Sequence, residues 1–272
     1  MNRQFIARHW YAAAYEQFET QMNDVEFLLK VLSEQAGAPQ NILEAACGGG
    51  RICVPLAQAG HKVTGFDADA QMLLRCYRRM RDVPNIGCYQ ADAVLEDWGT
   101  GFDVVVLAGN ILINIETEMD YEQAQRLFLR KAAAALRPGG HIFLDYDQHS
   151  DASAIEFFNR LNKDGSSRWT QGTVRTDELG TSGRFWNYGN VYDPVTRICT
   201  WASHRELLTN NGETIVESSM GHKHIPSLAQ VYVWLAEAGF VIEKTWRNYE
   251  DTPLDEQDAE FARATIWARK DG

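Results

Sequence analysis

A glycine-rich turn followed by an acidic residue is the segment of this 272-residue chain with the most recognisable chemistry. Residues 44–51 read Glu-Ala-Ala-Cys-Gly-Gly-Gly-Arg, and glycines at such a turn let the backbone approach a ligand closely. Asp67 stands 17 positions after Gly50 and ends the next apolar run, where its carboxylate can accept hydrogen bonds from two ribose hydroxyls. The pattern predicts a site for a cofactor that contains a nucleoside.

Two details separate this pattern from that of a nicotinamide dinucleotide site. The fingerprint Gly-x-Gly-x-x-Gly would require glycine at position 53, where this chain has Cys53. Glu44 and the segment 90–93, Gln-Ala-Asp-Ala, have no role in the dinucleotide pattern. The residues therefore favour a different nucleoside cofactor.

A parallel sheet must position these residues, because short apolar runs alternate with helical stretches from residue 41 onward. Pro138 and the glycines after it stop the third helix of this stretch. The predicted strands are 41–46, 62–67, 85–91, 102–108 and 141–146, and the predicted helices between them are 51–59, 70–81 and 121–136.

The sequence pattern changes after residue 150, where polar and aromatic residues alternate between hairpin turns. The pattern predicts a helix at 152–161, antiparallel strands at 167–176, 184–192, 197–209 and 214–222, a helix at 227–238, strands at 240–246 and 262–268, and early helices at 9–18 and 24–32. The predicted fold class is α/β: a doubly wound, Rossmann-like, seven-stranded, mostly parallel sheet with an antiparallel β insert before the last helix. The predicted divisions are lid helices at 1–40, the core at 41–150, a substrate-covering insert at 151–225 and the end of the core sheet at 226–272.

Four motifs in this order resemble those of the class I methyltransferases that use S-adenosylmethionine (SAM). Their first motif resembles Glu-x-x-Cys-Gly-x-Gly, matched by residues 44–50, and their acidic residue after the second strand is matched by Asp67. Asp92 matches the aspartate after the third strand, and residues 136–140 (Leu-Arg-Pro-Gly-Gly) match the segment before the fifth strand. The resemblance covers roughly residues 40–146, and it implies SAM as cofactor and S-adenosylhomocysteine as its product.

The resemblance also implies the parts that individual residues play. Gly48 and Gly50 would shape the turn around the methionine part of SAM, and Glu44 would hydrogen-bond into that loop. Asp67 would hold the ribose, and Asp92 would accept a bond from the exocyclic amine of adenine. The other residues implied to line the cofactor are Tyr15, Ala46, Ala68, Met72, Ala93, Ala108, Gly109 and Asn110.

Methyl transfer requires alignment and, for a protonated acceptor, a base. Polar residues at the carboxyl ends of the strands are candidates, because α/β sheets bind ligands there; they are Asn110, Asp145, Asp147 and His149. Tyr11 and Tyr15 resemble the tyrosines of a lid helix that covers the cofactor in many small-molecule methyltransferases. Asn110, His149 and Tyr11 are the candidates for catalysis.

The predicted insert is rich in aromatic residues and falls where the glycine/sarcosine and amino-sugar N-methyltransferases carry a similar sheet. These side chains either pack two sheets together or hold an apolar ring or a methylated ammonium. They are Trp169, Phe185, Trp186, Tyr188, Tyr192 and Trp201. His222 and His224 are two residues apart and therefore share one face of a strand, where they could bind a metal ion or form a surface pair. No third ligand follows at a regular spacing, so no metal site is predicted.

The net charge, the cysteine spacing and the apolar runs limit the classes of partner that this chain can have. The net charge of −11 disfavours nucleic acid, and no Pro-Pro-aromatic stretch of the base-methylating enzymes follows the fourth strand. Five cysteines without a Cys-x-x-Cys pair indicate reduced thiols in the cytoplasm. The N-terminal segment lacks the apolar core of a signal peptide, and no apolar run is long enough to span a membrane. We expect a small-molecule substrate and a monomer or homodimer.

Three other functions remain open at this stage. The fold also serves SAM-binding enzymes that transfer another group, including relatives of the aminopropyl transferases. A non-catalytic SAM-binding subunit is disfavoured by the intact Asp67 and Asp92. An NAD-dependent oxidoreductase is disfavoured by Cys53.

Overall fold

The computed structural model describes residues 2–37, 39–164, 173–255 and 261–272, and it divides the chain into two compact units. The larger unit comprises residues 21–148 and 226–272, and the smaller one comprises residues 1–20 and 149–225. The first two helices therefore fall in different units. The predicted domain boundaries stay a prediction.

The larger unit contains a seven-stranded sheet of order β10-β11-β5-β4-β1-β2-β3. Strands β1 to β5 run parallel to one another, while β11 is antiparallel to both β5 and β10. The strands are β1 (Asn41–Ala45), β2 (Lys62–Asp67), β3 (Ile86–Gln90), β4 (Phe102–Leu107), β5 (Leu136–Gln148), β10 (Phe240–Arg247) and β11 (Ala262–Lys270). The helices are α2 (Asn23–Val31), α3 (Cys53–Gln58), α4 (Ala70–Arg79), α5 (Tyr121–Ala135) and α7 (Leu228–Glu237).

Alternate side chains of β4 enter two separate cores, one on each face of the sheet. Val104 and Val106 pack into a core with residues of α2, α3 and α4, whereas Val105 and Leu107 pack into a core with residues of α5 and α7. Both faces are therefore covered by helices, which explains why β4 reads as a continuous apolar run. The arrangement confirms the predicted doubly wound α/β sheet.

The smaller unit is built on a four-stranded antiparallel sheet of order β6-β7-β8-β9, which confirms the predicted antiparallel insert before the last helix. Its strands are β6 (Arg175–Thr176), β7 (Ser182–Asp193), β8 (Ile198–Leu208) and β9 (Thr214–His224), and its helices are α1 (Arg3–Phe18) and α6 (Asp151–Asp164). Trp10 of α1 is buried against Leu207 and Ile215, and its indole N–H donates to the Arg175 carbonyl at 3.0 Å.

Sequence and structure differ mainly at the ends of elements. The fifth strand begins at Leu136 rather than 141, because Leu136 already pairs with Phe102 of β4 although Pro138 and two glycines follow. Most of the strand predicted at 167–176 lies outside the described residues; within them, only Arg175–Thr176 is strand. No helix that the structure describes is long and apolar enough to cross a membrane.

Gly65 of β2 is required by close packing beneath the loop that follows β1. A Cβ atom there would lie 2.9 Å from the Cys47 Sγ and 3.1 Å from the Cys88 Sγ. Gly87, on the neighbouring strand, has no atom within 4 Å of its corresponding Cβ position.

We therefore expect Gly65→Ala to lower the free energy of unfolding by about 1–3 kcal/mol through overpacking, as measured by urea denaturation. Gly87→Ala is the matched control, and we expect it to change this free energy by less than about 0.5 kcal/mol. Equal stability of the two variants would contradict the packing role of Gly65.

Candidate cofactor-binding site

The carboxyl ends of β1, β2, β3 and β4 meet at one edge of the sheet, because these strands are parallel and in register. Ala45 of β1 pairs with Phe66 of β2, and Asp67 pairs with Gln90 of β3. The turns that follow these strands therefore lie side by side, although they are far apart in sequence. Ligands of open α/β sheets bind at this edge.

The turn after β1 depends on three residues with positive φ: Ala46 (56°), Gly48 (53°) and Gly50 (79°). Gly48 has open space at its Cβ position, with no atom within 4 Å. Gly50 is packed closely instead, since a Cβ there would lie 2.9 Å from the Cys76 Sγ on α4. Gly48 thus leaves room for a ligand, while Gly50 lets the turn lie against the helix.

Asp67 joins the turns after β1 and β2. Its Oδ2 accepts the Gly48 N–H at 2.9 Å, and its Oδ1 accepts the Asp69 N–H at 2.8 Å. Burial raises the pKa of Asp67, although both amide bonds favour the charged form. A carboxylate has about four acceptor positions, so two remain for the hydroxyls of a ribose.

Glu44 lies below the turn and is buried. Burial raises its pKa to about 8, with the positive charge of Arg51 acting in the opposite direction. No described residue offers a hydrogen-bond partner to its Oε2. Arg51 is fixed by Asp24 of α2, through bonds of 2.7 Å to Oδ1 and 2.5 Å to Oδ2.

Asp92 closes the turn after β3. Its Oδ1 accepts the N–H groups of Val94 at 2.7 Å and Leu95 at 3.0 Å, which leaves Oδ2 outside these bonds. The neighbouring Ala93 is half-buried, and its carbonyl accepts the indole N–H of Trp98 at 2.9 Å. Asp92 is therefore held rigidly, with one oxygen left for a ligand.

Two further predicted residues lie next to Asp67. Ala68 is exposed, and its carbonyl accepts the side-chain amide of Gln90 at 3.0 Å. Met72 is half-buried in the first turn of α4, a helix that Asp69 caps by accepting the Gln71 N–H at 2.7 Å. These contacts fix the backbone between Asp67 and α4.

The turn after β4 contains the other group of predicted residues. Ala108 is half-buried, and Gly109 and Asn110 have positive φ values of 72° and 68°. Their N–H groups donate to the two oxygens of Asp145 on β5, at 3.1 Å and 3.0 Å. The Asn110 side chain donates to the Asp147 Oδ2 at 2.7 Å and accepts the Asp147 N–H at 2.6 Å.

Asp145 has no exposed surface, and its charge is balanced by Arg263 of β11. The guanidinium of Arg263 lies 3.1 Å from Asp145 and 2.8 Å from Asp147. Burial raises the pKa of Asp145, and the charge of Arg263 opposes this rise. Tyr249 also donates its hydroxyl to Asp145 at 3.1 Å. The turn after β4 is thus anchored by a buried ionic network.

Tyr11, Tyr15 and His149 belong to the smaller unit, whereas the other predicted site residues belong to the larger one. The Tyr11 ring lies 6.4 Å from the Tyr15 ring, and the Arg205 guanidinium lies 5.3 Å above the Tyr11 ring. His149 is buried, with its imidazole 5.2 Å from the Phe157 ring.

The aromatic residues of the insert are divided among several environments within the smaller unit. Phe185 lies against Trp10, Trp186 lies 4.5 Å from His204, and Tyr192 donates its hydroxyl to Asp151 at 2.7 Å. Tyr188 is exposed, and Trp201 lies under the Lys223 ammonium. Trp169 lies outside the described residues.

The sequence named Asp145 as a polar candidate at a strand end, but it did not show which residues pair to support the site. Asp24 and Arg51 are far apart in sequence, as are Asp145 and Arg263, and no local spacing pairs them. One signal was present: Arg263 is a charged residue next to the largely apolar run of residues 264–268, and a charged residue that is buried there requires a partner.

Residues 42–140 match a protein family described as "Methyltransferase domain". The rat (Rattus norvegicus) glycine N-methyltransferase is 27% identical over 115 residues, which are 39% of this chain and 39% of that protein. The ubiquinone biosynthesis O-methyltransferase of Chelativorans sp. is 31% identical over 105 residues, which are 38% of each chain. The chain therefore spans about two fifths of the length of these curated relatives.

Two solved structures share the fold over almost the whole chain. The sugar N-methyltransferase KedS8 of Streptoalloteichus sp. has a TM-score of 0.68 at 16% identity and covers 96% of this chain and 93% of its own. The SAM-bound amino pentose methyltransferase CalS10 of Micromonospora echinaspora has a TM-score of 0.60 at 16% identity and covers 96% of both chains.

Residues 42–140 therefore match a methyltransferase domain, and the chain shares the fold of solved SAM-dependent methyltransferases. The predicted resemblance is confirmed at the level of this domain match and of the fold. The residues at the edge of the sheet fit SAM, the predicted cofactor. Asp67 has free acceptor positions, Gly48 faces open space, and the Asp92 Oδ2 is outside the bonds that hold its turn.

The buried network predicts a pH-dependent response to the loss of Arg263. We expect Arg263→Met to lower the free energy of unfolding by about 3 kcal/mol at pH 7, because it leaves the Asp145 carboxylate buried without its cation. The folded-state pKa of Asp145 then rises further above its unfolded value, so the folded state binds a proton more readily than the unfolded state. Stability is therefore lost as pH rises above the unfolded pKa, and the deficit relative to wild type should shrink as pH falls from 7 toward 4.

Urea denaturation of both proteins at several pH values measures this deficit. Arg269→Met is the matched control, since Arg269 on the same strand pairs with the partly exposed Glu243; its effect should stay below about 1 kcal/mol. A deficit for Arg263→Met that is small, or that does not change with pH, would contradict the buried ion pair.

Proposed function

We propose that this protein binds SAM at the carboxyl edge of its parallel sheet and transfers a methyl group to a nitrogen or oxygen atom of a small molecule. The observation that carries this proposal is the position of Asp67. Its carboxylate closes the glycine-rich turn through Gly48 and keeps acceptor positions for a ribose. Bound SAM supplies a methyl group on a sulfonium, which needs little activation.

The cofactor roles follow from the turn geometry. Asp67 binds the ribose hydroxyls, and the Asp92 Oδ2 accepts the exocyclic amine of adenine. Ala68 and Met72 flank the adenine ring, since both lie in the segment fixed between Asp67 and α4. The remaining proposed contacts come from the turns after β1, β3 and β4 and from α1: Glu44, Ala46, Gly48, Gly50, Ala93, Ala108, Gly109, Asn110 and Tyr15.

Asn110 acts as a positioning residue in this proposal. Its side chain both donates to Asp147 and accepts from Asp147, so it fixes the turn after β4 and is not itself a base. The buried Asp145 holds the same turn through two backbone N–H groups. Such a turn keeps a fixed shape during a reaction, which is what alignment requires.

His149 and Tyr11 remain the proposed candidates for proton transfer. An imidazole and a phenol can each donate and accept a proton, whereas the amide of Asn110 is not a base. His149 is buried beside Phe157, and the Tyr11 ring lies under the Arg205 guanidinium.

The proposed acceptor is a metabolite rather than a macromolecule. The net charge of −11 opposes nucleic acid at long range. Relatives and fold neighbours named for glycine, ubiquinone biosynthesis and sugar substrates include N- and O-methyltransferases. We further propose a cytoplasmic protein that acts without a membrane, as a monomer or homodimer, in keeping with its five free thiols. Transfer of another group from a SAM-like cofactor is the alternative reaction, and nicotinamide chemistry is a more distant one.

The role of Asp67 gives a direct test. We expect Asp67→Asn to raise the Kd of S-adenosylhomocysteine by about 10- to 100-fold in calorimetric titration, because it weakens charge-assisted bonds to the ribose. Asp82→Asn, an exposed substitution with the same change of charge, should leave this Kd unchanged. Circular dichroism checks that both variants fold.

Thermal unfolding with saturating S-adenosylhomocysteine, SAM and NAD separates the cofactor classes. A ligand at about 100 times its Kd adds roughly 2.7 kcal/mol to the native state. We expect a rise in Tm with the two sulfur nucleosides and none with NAD. A rise with NAD alone would overturn the proposed function. With the cofactor established, amines and hydroxyl compounds are screened with radiolabelled SAM for a methylated product, whose absence across both classes would favour the alternative reaction.

A further inference from the structure

Four of the five cysteines come together in the larger unit, although their sequence spacing shows no metal-binding pattern. Cys47 lies in the turn after β1, Cys53 begins α3, Cys76 lies on α4 and Cys88 lies on β3. Their four Sγ atoms are all within 4.8 Å of one another. In the part of the chain that the structure describes, no other group of three or more histidine, cysteine or acidic residues is arranged so closely that it could hold a metal ion.

The protein leaves space around these sulfurs. Glycine occupies the two positions at which a side chain would collide with them: a Cβ at Gly65 would lie 2.9 Å from the Cys47 Sγ, and one at Gly50 would lie 2.9 Å from the Cys76 Sγ. Cys47, Cys53 and Cys76 are buried, and Cys88 is half-buried. The thiols are thus largely shielded from water and converge on one point.

The spacing of the sulfurs is near the one that a single tetrahedral ion requires. Zinc–thiolate bonds of about 2.3 Å place the four sulfurs of a tetrahedron about 3.8 Å apart. The Cys53 and Cys76 Sγ atoms are already 3.9 Å apart, whereas those of Cys76 and Cys88 are 3.0 Å apart and must separate when the ion binds. An iron–sulfur cluster would need wider spacing, since several irons and sulfides must fit between its cysteines.

We propose that Cys47, Cys53, Cys76 and Cys88 bind a single thiophilic metal ion, with Zn²⁺ as the best match to the four-sulfur geometry. Four protein ligands leave no open position, so the site is structural rather than catalytic. The thiol protons pass to the solvent when the sulfurs bind the ion as thiolates. The ion links the turn after β1 to α3, α4 and β3.

The position of this site connects it to the cofactor turn. Cys47 directly precedes Gly48, whose N–H donates to Asp67. An ion bound by Cys47 would fix the backbone that leads to the Gly48 N–H. Because Cys76 lies on α4, the same ion would also fix this helix. The metal would therefore stiffen the turn without touching the cofactor.

The test measures metal binding in the absence of SAM, so its outcome is independent of the proposed function. Full-length protein purified under reducing conditions is freed of metal with a chelator and titrated with Cd²⁺, while the ultraviolet charge-transfer band of cadmium thiolates is followed. Zn²⁺ affinity is then obtained by competition with a chromophoric chelator, and elemental analysis gives the zinc content of the protein as purified. We expect saturation at one ion per chain.

Two cysteine variants locate the site. Cys88→Ser, at the least buried ligand, should weaken Zn²⁺ binding by more than about 100-fold, since loss of even an outer partner of a metal ligand costs 10- to 100-fold. Cys199→Ser is the matched control, because Cys199 is a buried cysteine of the smaller unit. It should bind Zn²⁺ as the wild type does.

Three outcomes would overturn the proposal. They are a wild-type protein without a saturable cadmium–thiolate band, equal Zn²⁺ affinities of the two variants, or a Cys76–Cys88 disulfide that forms in place of metal binding even under reducing conditions. Circular dichroism and S-adenosylhomocysteine titration check the fold of Cys88→Ser. If that variant does not fold, the cadmium titration of the wild-type protein is the deciding test. The proposal then requires that the intensity of the charge-transfer band correspond to four thiolates per bound ion.

Discussion

The hydrogen bond from the Gly48 N–H to the Asp67 carboxylate connects the two turns on which the cofactor site depends. It exists because β1 and β2 are parallel and in register, so that both turns leave the sheet at the same edge. The bond uses one acceptor position of the carboxylate that we propose to bind the ribose. Burial raises the pKa of this carboxylate, and the two backbone N–H groups counteract that rise. In this proposal one side chain combines structural support with ligand binding.

The turn after β4 is supported differently. There the backbone N–H groups of Gly109 and Asn110 donate to Asp145, and Arg263 balances the charge of this carboxylate. A buried carboxylate is costly, and here its cost is offset by an arginine, a tyrosine hydroxyl and two amides. The sheet edge that we propose to bind the cofactor is thus held at two points, by Asp67 after β2 and by Asp145 on β5. Asp145 and Arg263 both lie outside residues 42–140, the segment that matches the methyltransferase family.

The cysteine group adds a third support to the same region. Its four members come from a turn, two helices and a strand, and they surround the backbone that leads into Gly48. Cysteine is a small apolar residue in most cores, and each of these positions would be unremarkable alone. Their convergence within 4.8 Å, in space cleared by two glycines, is what distinguishes the group from ordinary core packing.

Local signals were sufficient for the fold class and for the proposed cofactor residues. Three kinds of signal each span only a few positions: glycines with positive φ, the apolar runs of β1, β2 and β4, and acidic residues at strand ends. The sequence therefore determined the order of the elements and the sheet edge that we propose to bind a ligand. The tertiary structure alone decided which distant residues meet. Arg263 reaches Asp145 because β11 inserts beside β5, and the four cysteines meet because α3, α4 and β3 pack against one turn. Such pairings depend on strand order and helix packing over tens of residues, and no periodicity along the chain encodes them.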